Sequence, residues 1–188
     1  MKKTAACVFA LLLCTSAPLL AWDYTFDDDG ISGVLSRGDG DLMTTECHML
    51  VDRSPDAVVA ALTDYDRIGD WLPSTTEYRV LRRDGAGARF YRRNSTPFFV
   101  PEMWANVDAT VQPLGDGKTH VEWHRVEGTV KVFDASFDVE PAGQGAKVTY
   151  RVKTAVELPV PAFILKRAGS KAIVETLQSL RAAARARK

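Results

Sequence analysis

Cysteine is scarce in this sequence: Cys7, Cys14 and Cys47 are the three among 188 residues. Histidine is as sparse, at His48, His120 and His124. Neither sign of charge dominates. Lys and Arg number 24, as do Asp and Glu, so no global basic field invites nucleic acid. Past the N terminus no segment approaches the ~20 apolar residues of a membrane-spanning helix. Gly-x-Ser-x-Gly, Ser-x-x-Lys and His-Glu-x-x-His are missing, which removes the common hydrolase signatures. No glycine loop suits a phosphate, because Gly85 and Gly87 fall in a turn that leads into a strand rather than a helix.

What is present is ordinary for a soluble globular chain: 46% hydrophobic and 26% charged residues, in a length that suits one domain. The first 21 residues stand apart. Lys2 and Lys3 precede an apolar run from Ala5 to Leu13. Pro18 and Ala21 follow, before an abrupt change at Trp22-Asp23. This is the pattern of a secretory signal peptide, against the alternatives of an uncleaved anchor or a lipid attached at Cys14. Cleavage after Ala21 removes Lys2 and Lys3, leaving 22 basic and 24 acidic residues and a net charge of −2. It also leaves Cys47 alone, so an internal disulfide is excluded. The expected location is the periplasm, after passage through the inner membrane.

Residues 22–41 are rich in Asp and Gly and read as a flexible, solvated N-terminal segment, with at most one short strand near Ile31–Leu35. The Asp run lacks EF-hand spacing. From Leu42 the pattern sharpens. Met43, Thr45, Cys47, Met49 and Val51 alternate with their neighbours as a half-buried strand. Ser54-Pro55-Asp56 then opens a helix: Ser caps, Pro suits the first turn, and Asp suits the positive end of the dipole. A second short helix carries Ile68, Trp71 and Leu72 and stops at Pro73. Five alternating stretches separated by tight turns follow from Glu77 to Glu140, then a last one from Ala146 to Glu157, as an antiparallel meander. From Pro161 to Arg187 the chain reads as one helix about 40 Å long. Ile173, Leu177, Leu180 and Ala184 lie on one of its faces. That helix must cover the dry face of the sheet, since nothing else remains to do so.

The order is strand, two short helices, six-strand meander and long C-terminal helix. Residues 54–84, SPDAVVAALTDYDRIGDWLPSTTEYRVLRRD, and residues 160–181, VPAFILKRAGSKAIVETLQSLR, carry a specific likeness. They resemble the polyketide-cyclase and coenzyme-Q-binding branch of the START-like (SRPBCC) superfamily, over about residues 42–185. The resemblance implies an α+β helix-grip fold over residues 42–188. A curved antiparallel sheet of six to seven strands would grip the C-terminal helix, with an apolar cavity between them. It also implies a hydrophobic small-molecule ligand. The motifs are structural, so they speak to fold more than to function.

Candidate site residues follow from this frame. Trp71, Phe90, Trp104 and Trp123 are aromatic candidates for the cavity wall, with Tyr150, Phe163 and Met103; in any fold such residues also fill a core. Arg125 shares a strand face with inward Val121 and Trp123, so it needs a partner, either an internal carboxylate or a polar group on a ligand. The apolar joints at 96–101 and 158–163 bracket the expected entrance. Phe98, Phe99 and Val100 form one candidate lid and Val160 belongs to the other; the 97–101 loop is also a candidate membrane contact. His120 and His124 sit about 13 Å apart along one strand, too far to share a metal ion. Cys47 reads as a buried, inert thiol. No catalytic residue, metal or cofactor is expected.

The functional expectation is binding or carriage of a lipid, a sterol- or hopanoid-like molecule, a quinone or a polyketide. Two alternatives stand beside it. One is a cyclase or dehydratase using Tyr150, Asn94 or Arg125. The other is an envelope interaction module without a ligand, which a filled, dry core would favour. Oligomeric state is not legible.

Overall fold

The computed structural model describes residues 21–38, 40–95, 102–155 and 161–187. The chain opens with three strands, β1 (Trp22–Asp28), β2 (Ile31–Arg37) and β3 (Leu42–Val51). Two short helices follow, α1 (Pro55–Thr63) and α2 (Ile68–Trp71). The meander is β4 (Thr75–Asp84), β5 (Gly87–Asn94), β6 (Met103–Gly115), β7 (Lys118–Gly128), β8 (Val132–Ala142) and β9 (Gly145–Ala155), and α3 (Ala162–Arg185) closes the chain. All neighbouring strands are antiparallel, in the order β1-β2-β3-β9-β8-β7-β6-β5-β4. The α1–α2 segment carries the chain from β3 to the far edge, and the meander returns until β9 pairs with β3.

The helix-grip architecture expected from the sequence is the one observed, with one correction. The sheet has nine strands rather than six or seven, because residues 22–37 form a hairpin instead of a flexible segment. Asp29 and Gly30 both have positive φ, 52° and 69°. That is the geometry of a two-residue hairpin turn whose twist matches its strands. The hairpin is also packed. Ile31 and Leu35 are buried, and Gly33 lies opposite Cys47 so closely that a Cβ there would meet the Cys47 Cβ at 2.3 Å. The loop after β2 is tied down by Arg37, which donates to the Gly40 carbonyl and to Asp41, both at 2.8 Å.

The helices obey local rules. The Ser54 side chain accepts from the Ala57 amide, with Pro55 in the first turn. In α3 the residues Ile173, Leu177, Leu180 and Ala184 are buried, as their spacing requires. The C-terminal half of α3 packs on α1, where Val58, Ala61 and Leu62 are fully buried. Each large apolar side chain so enclosed contributes about 1.5–3 kcal/mol. A row of rings crosses the inner face of the sheet: Tyr78, Phe90, Trp123, Phe137 and Tyr150, with successive centroids 5.3, 5.7, 5.1 and 4.7 Å apart. The N-terminal half of α3 covers the remainder of the inner face without filling it.

Candidate ligand cavity

A cavity of about 280 Å³ lies between the sheet and the N-terminal half of α3. Its apolar wall includes Leu72, Met103, Phe133, Val152 and Ile173. The aromatic row bounds it, with Trp123 and Tyr150 at its surface. Gly169 sits on the helix side, where a Cβ would come within 2.9 Å of the Leu35 Cδ2. The absent side chain lets α3 approach β2 while leaving space over the strands beyond. A larger hollow of about 670 Å³ lies on the outer face of the sheet. It is strongly charged, with Arg151 donating to Glu46, His124 pairing with Asp134, and Glu122 and Lys153 beside them. It offers little to an apolar ligand.

The residues singled out in the sequence divide. Met103, Trp104, Trp123 and Tyr150 line the cavity. Trp104 does so from its rim, for its ring lies 5.9 Å from that of Tyr91 on the opposite side of the sheet. Phe90 is buried behind Trp123, in the core rather than at the cavity surface. Trp71 does not line the cavity, although Leu72, Pro73 and Ser74 directly after it do. Phe163 points to solvent, 70% exposed. Phe98, Phe99, Val100 and Val160 lie outside the described residues. So do residues 1–20.

Arg125 is inward-facing in register but lies outside the cavity. A bulge between the Asn106 and Val107 pairings bends the end of β7, and Arg125 folds back to donate to the Gly128 carbonyl at 2.7 Å. The residue that the alternation should have flagged is Arg92. On β5, Ala88, Phe90, Arg92 and Asn94 share the inner face, opposite Ala109, Val107, Ala105 and Met103 of β6. Arg92 therefore enters the cavity wall two positions after a buried Phe.

Arg92 is held from behind. Its Nε donates to Thr75 Oγ1 at 2.9 Å and its Nη2 to the Pro73 carbonyl at 2.6 Å. Burial pulls its basicity down to about 10, an effect that the nearby Tyr150 partly offsets. The Tyr150 phenol is pushed well above its ordinary range by burial, so it stays protonated at neutral pH. Its ring stacks on Phe137, and its hydroxyl has no hydrogen-bond partner among the described residues. Asn94 Oδ1 and Trp123 Nε1 are buried without partners in the same wall. Cys47 is fully buried, and burial, helped by the Glu46 charge, pushes its thiol up to about 12. His120 pairs with Asp138 at 2.6 Å on the outer face, away from the cavity.

A curved sheet gripping a long helix over an apolar cavity is the plan of lipid-carrying and ring-closing domains. Residues 43–185 match the family described as polyketide cyclase / dehydrase and lipid transport, and the chain belongs to that family. An uncharacterized protein of Pseudomonas aeruginosa is 25% identical over the whole chain and 97% of its own length. The crystal structure of a STAR-related lipid transfer protein from Xanthomonas axonopodis superposes with a TM-score of 0.73 at 21% identity, covering 87% of this chain and 98% of that one. The Zhui aromatase/cyclase from a Streptomyces species superposes with a TM-score of 0.62 at 11% identity, covering 77% of this chain and 94% of that one. These likenesses define the fold as START-like.

Proposed function

We propose that this protein binds and carries a hydrophobic small molecule in the cavity between the sheet and α3. The observation that carries the reading is the apolar space left over Trp123, Phe133 and Val152 by a helix that could have closed it. Its volume of about 280 Å³ falls just below the range of about 300–1,000 Å³ for small-molecule sites. That size favours a single chain or small ring system over a two-chain lipid. Binding would draw on burial of apolar area at roughly 25 cal/mol per Å², less the cost of association. The cavity weighs against the ligand-free interaction module, for which a filled core was the expected sign.

The working location is the periplasm. The support is the charged-then-apolar N-terminal pattern and the start of β1 at Trp22, directly after the expected cleavage point. The 97–101 loop remains a candidate for membrane contact on its sequence.

A ring-closing or dehydrating activity is the second reading, favoured by the protonated Tyr150 hydroxyl at the cavity surface. Native mass spectrometry of the purified protein, followed by organic extraction, tests the first. A co-purifying apolar molecule supports carriage. A bare protein mass that persists after exposure to total membrane lipid overturns it.

A further inference from the structure

Arginines in this protein normally meet carboxylates. Arg89 forks onto Asp108, Arg93 reaches Glu77 and Glu102, and Arg151 bridges Glu46 and Asp138. On α3, Arg181, Arg185 and Arg187 meet Asp29, Asp52 and Asp64. Among the described arginines that are not exposed, Arg92 and Arg125 alone lack an acidic partner. Arg125 donates to the Gly128 carbonyl at the end of β7 and leaves its buried Nε unpaired, but it does not line the cavity. Arg92 is turned into the cavity.

A charge taken out of water without a counter-charge is costly, and two neutral acceptors compensate it only in part. Its two bonds use Nε and Nη2, and Nη1 makes none with the described residues. The Tyr150 hydroxyl and the buried indole N–H of Trp123 add two further unengaged donors to the same wall. The Asn94 amide can present its NH₂ there with a flip of its side chain. Among the described residues the one carboxylate on the cavity, Glu175, belongs to α3 and pairs with Lys171 at 3.7 Å.

We propose that the ligand is a single-chain amphiphile with an acidic head group, a carboxylate or a phosphate monoester, that seats on Arg92 with Tyr150 and Trp123 while its chain fills the apolar part of the cavity. The proposal rests on the cavity-binding reading above. A guanidinium fork fixed from behind by Pro73 and Thr75 is preorganised to receive a two-oxygen anion. The volume allows for one chain beneath it.

The test uses three probes of one chain length, decanoate, decyl phosphate and decanol, titrated into lipid-stripped protein and followed by tryptophan fluorescence. The expected result is that one or both anions bind about ten- to hundredfold tighter than decanol, the worth of a charge-assisted hydrogen bond. Which anion leads separates a fatty-acid-like from a phospholipid-like source. Arg92→Gln should erase the preference while decanol binding survives, and Arg92→Lys should keep part of it. Equal affinity for all three in the wild-type protein overturns the proposal without touching the cavity reading, and so does an anion preference that survives Arg92→Gln. Failure of all three probes to bind overturns the cavity reading itself. Should Arg92→Gln not fold, the wild-type comparison and Arg92→Lys still decide.

Discussion

Arg92 and Pro73 meet at 2.6 Å, guanidinium Nη2 to carbonyl oxygen, and this bond ties the turn after α2 to strand β5. The proline that ends the short helix thus also braces the cavity's arginine. Thr75 supplies the second brace. Replacing Thr75 by Val keeps the shape but leaves the Arg92 Nε–H unpaired. The expected cost is about 1–3 kcal/mol of stability, with a fall in affinity for anionic probes. Urea denaturation and the probe titration together check it; full stability and affinity in Thr75→Val would show that the brace is idle.

The cavity should be fillable. Ala105 faces it from β6, opposite Arg92. Ala105→Leu adds apolar volume there, so the melting temperature should hold or rise, as is common for cavity filling. Affinity for apolar probes should drop about tenfold, near 1.4 kcal/mol. Unchanged affinity would mean that the probes bind elsewhere.

Two glycines make opposite predictions. At Gly33 a Cβ would meet the Cys47 Cβ and the Glu46 carbonyl, at 2.3 and 2.5 Å, and β-sheet backbone yields little. Gly33→Ala should cost about 1–3 kcal/mol. At Gly169 the nearest atom is the end of the Leu35 side chain, and Ala favours a helix by about 1 kcal/mol over Gly. Gly169→Ala should therefore be nearly neutral. Denaturant midpoints for both variants decide; a neutral Gly33→Ala would imply that the N-terminal hairpin is not packed as described.

Acid should weaken the fold below about pH 4, the ordinary Asp range. The Arg89 fork holds Asp108 below that range by hydrogen bonding and charge. Burial works against Asp138, yet its hydrogen bonds from His120 and Arg151 prevail and hold it low as well. Depressed folded values mean that the unfolded chain binds protons first as pH falls. The stabilisation is therefore complete above the ordinary range and drains away as pH drops through the lowered values. Both groups are partly exposed, so each is worth no more than about 1 kcal/mol after screening. Urea midpoints between pH 2.5 and 6 should decline on the acid side, and less steeply in Asp108→Asn.

Cys47 should ignore thiol reagents. Fully buried and pushed up to about 12, it carries almost no thiolate at pH 8. Reaction with a disulfide reagent should appear only when denaturant opens the sheet. Rapid labelling of the native protein would contradict the packing of β2 against β3.

Much of this was legible because each element carries its own signal. Ser54-Pro55-Asp56 marked a helix start, the alternation of residues 133–140 and 148–156 marked strands, and the stripe from Ile173 to Ala184 marked the gripping helix. The hairpin was missed because its acidic composition masked Asp29-Gly30, a two-residue turn signal. The cavity arginine was missed for a different reason. Alternation identifies Arg92 and Arg125 equally, and what separates them, the cavity beside Arg92 and the bulge and Gly128 carbonyl beyond Arg125, comes from how the strands pair. Bulges arise from the pairing of strands and leave little trace in one strand's sequence. Phe163 misled because apolar character beside a proline does not say which way a helix turns its first residues.

The sheet is closed by its most distant partners. Cys47 on β3 lies beside Tyr150 on β9, 103 positions later, and their register runs from Leu42–Ala155 to Val51–Ala146. Contacts of such sequence separation are slow to form, because the loop must be closed before they repay its entropy. β9 brings Tyr150 to the cavity, and α3 can cover only a completed sheet. The cavity therefore has its full wall only when β9 and α3 are both in place. A chain interrupted before β9 would hold two short helices, the three N-terminal strands and most of the meander, but neither Tyr150 nor the helix that covers the cavity.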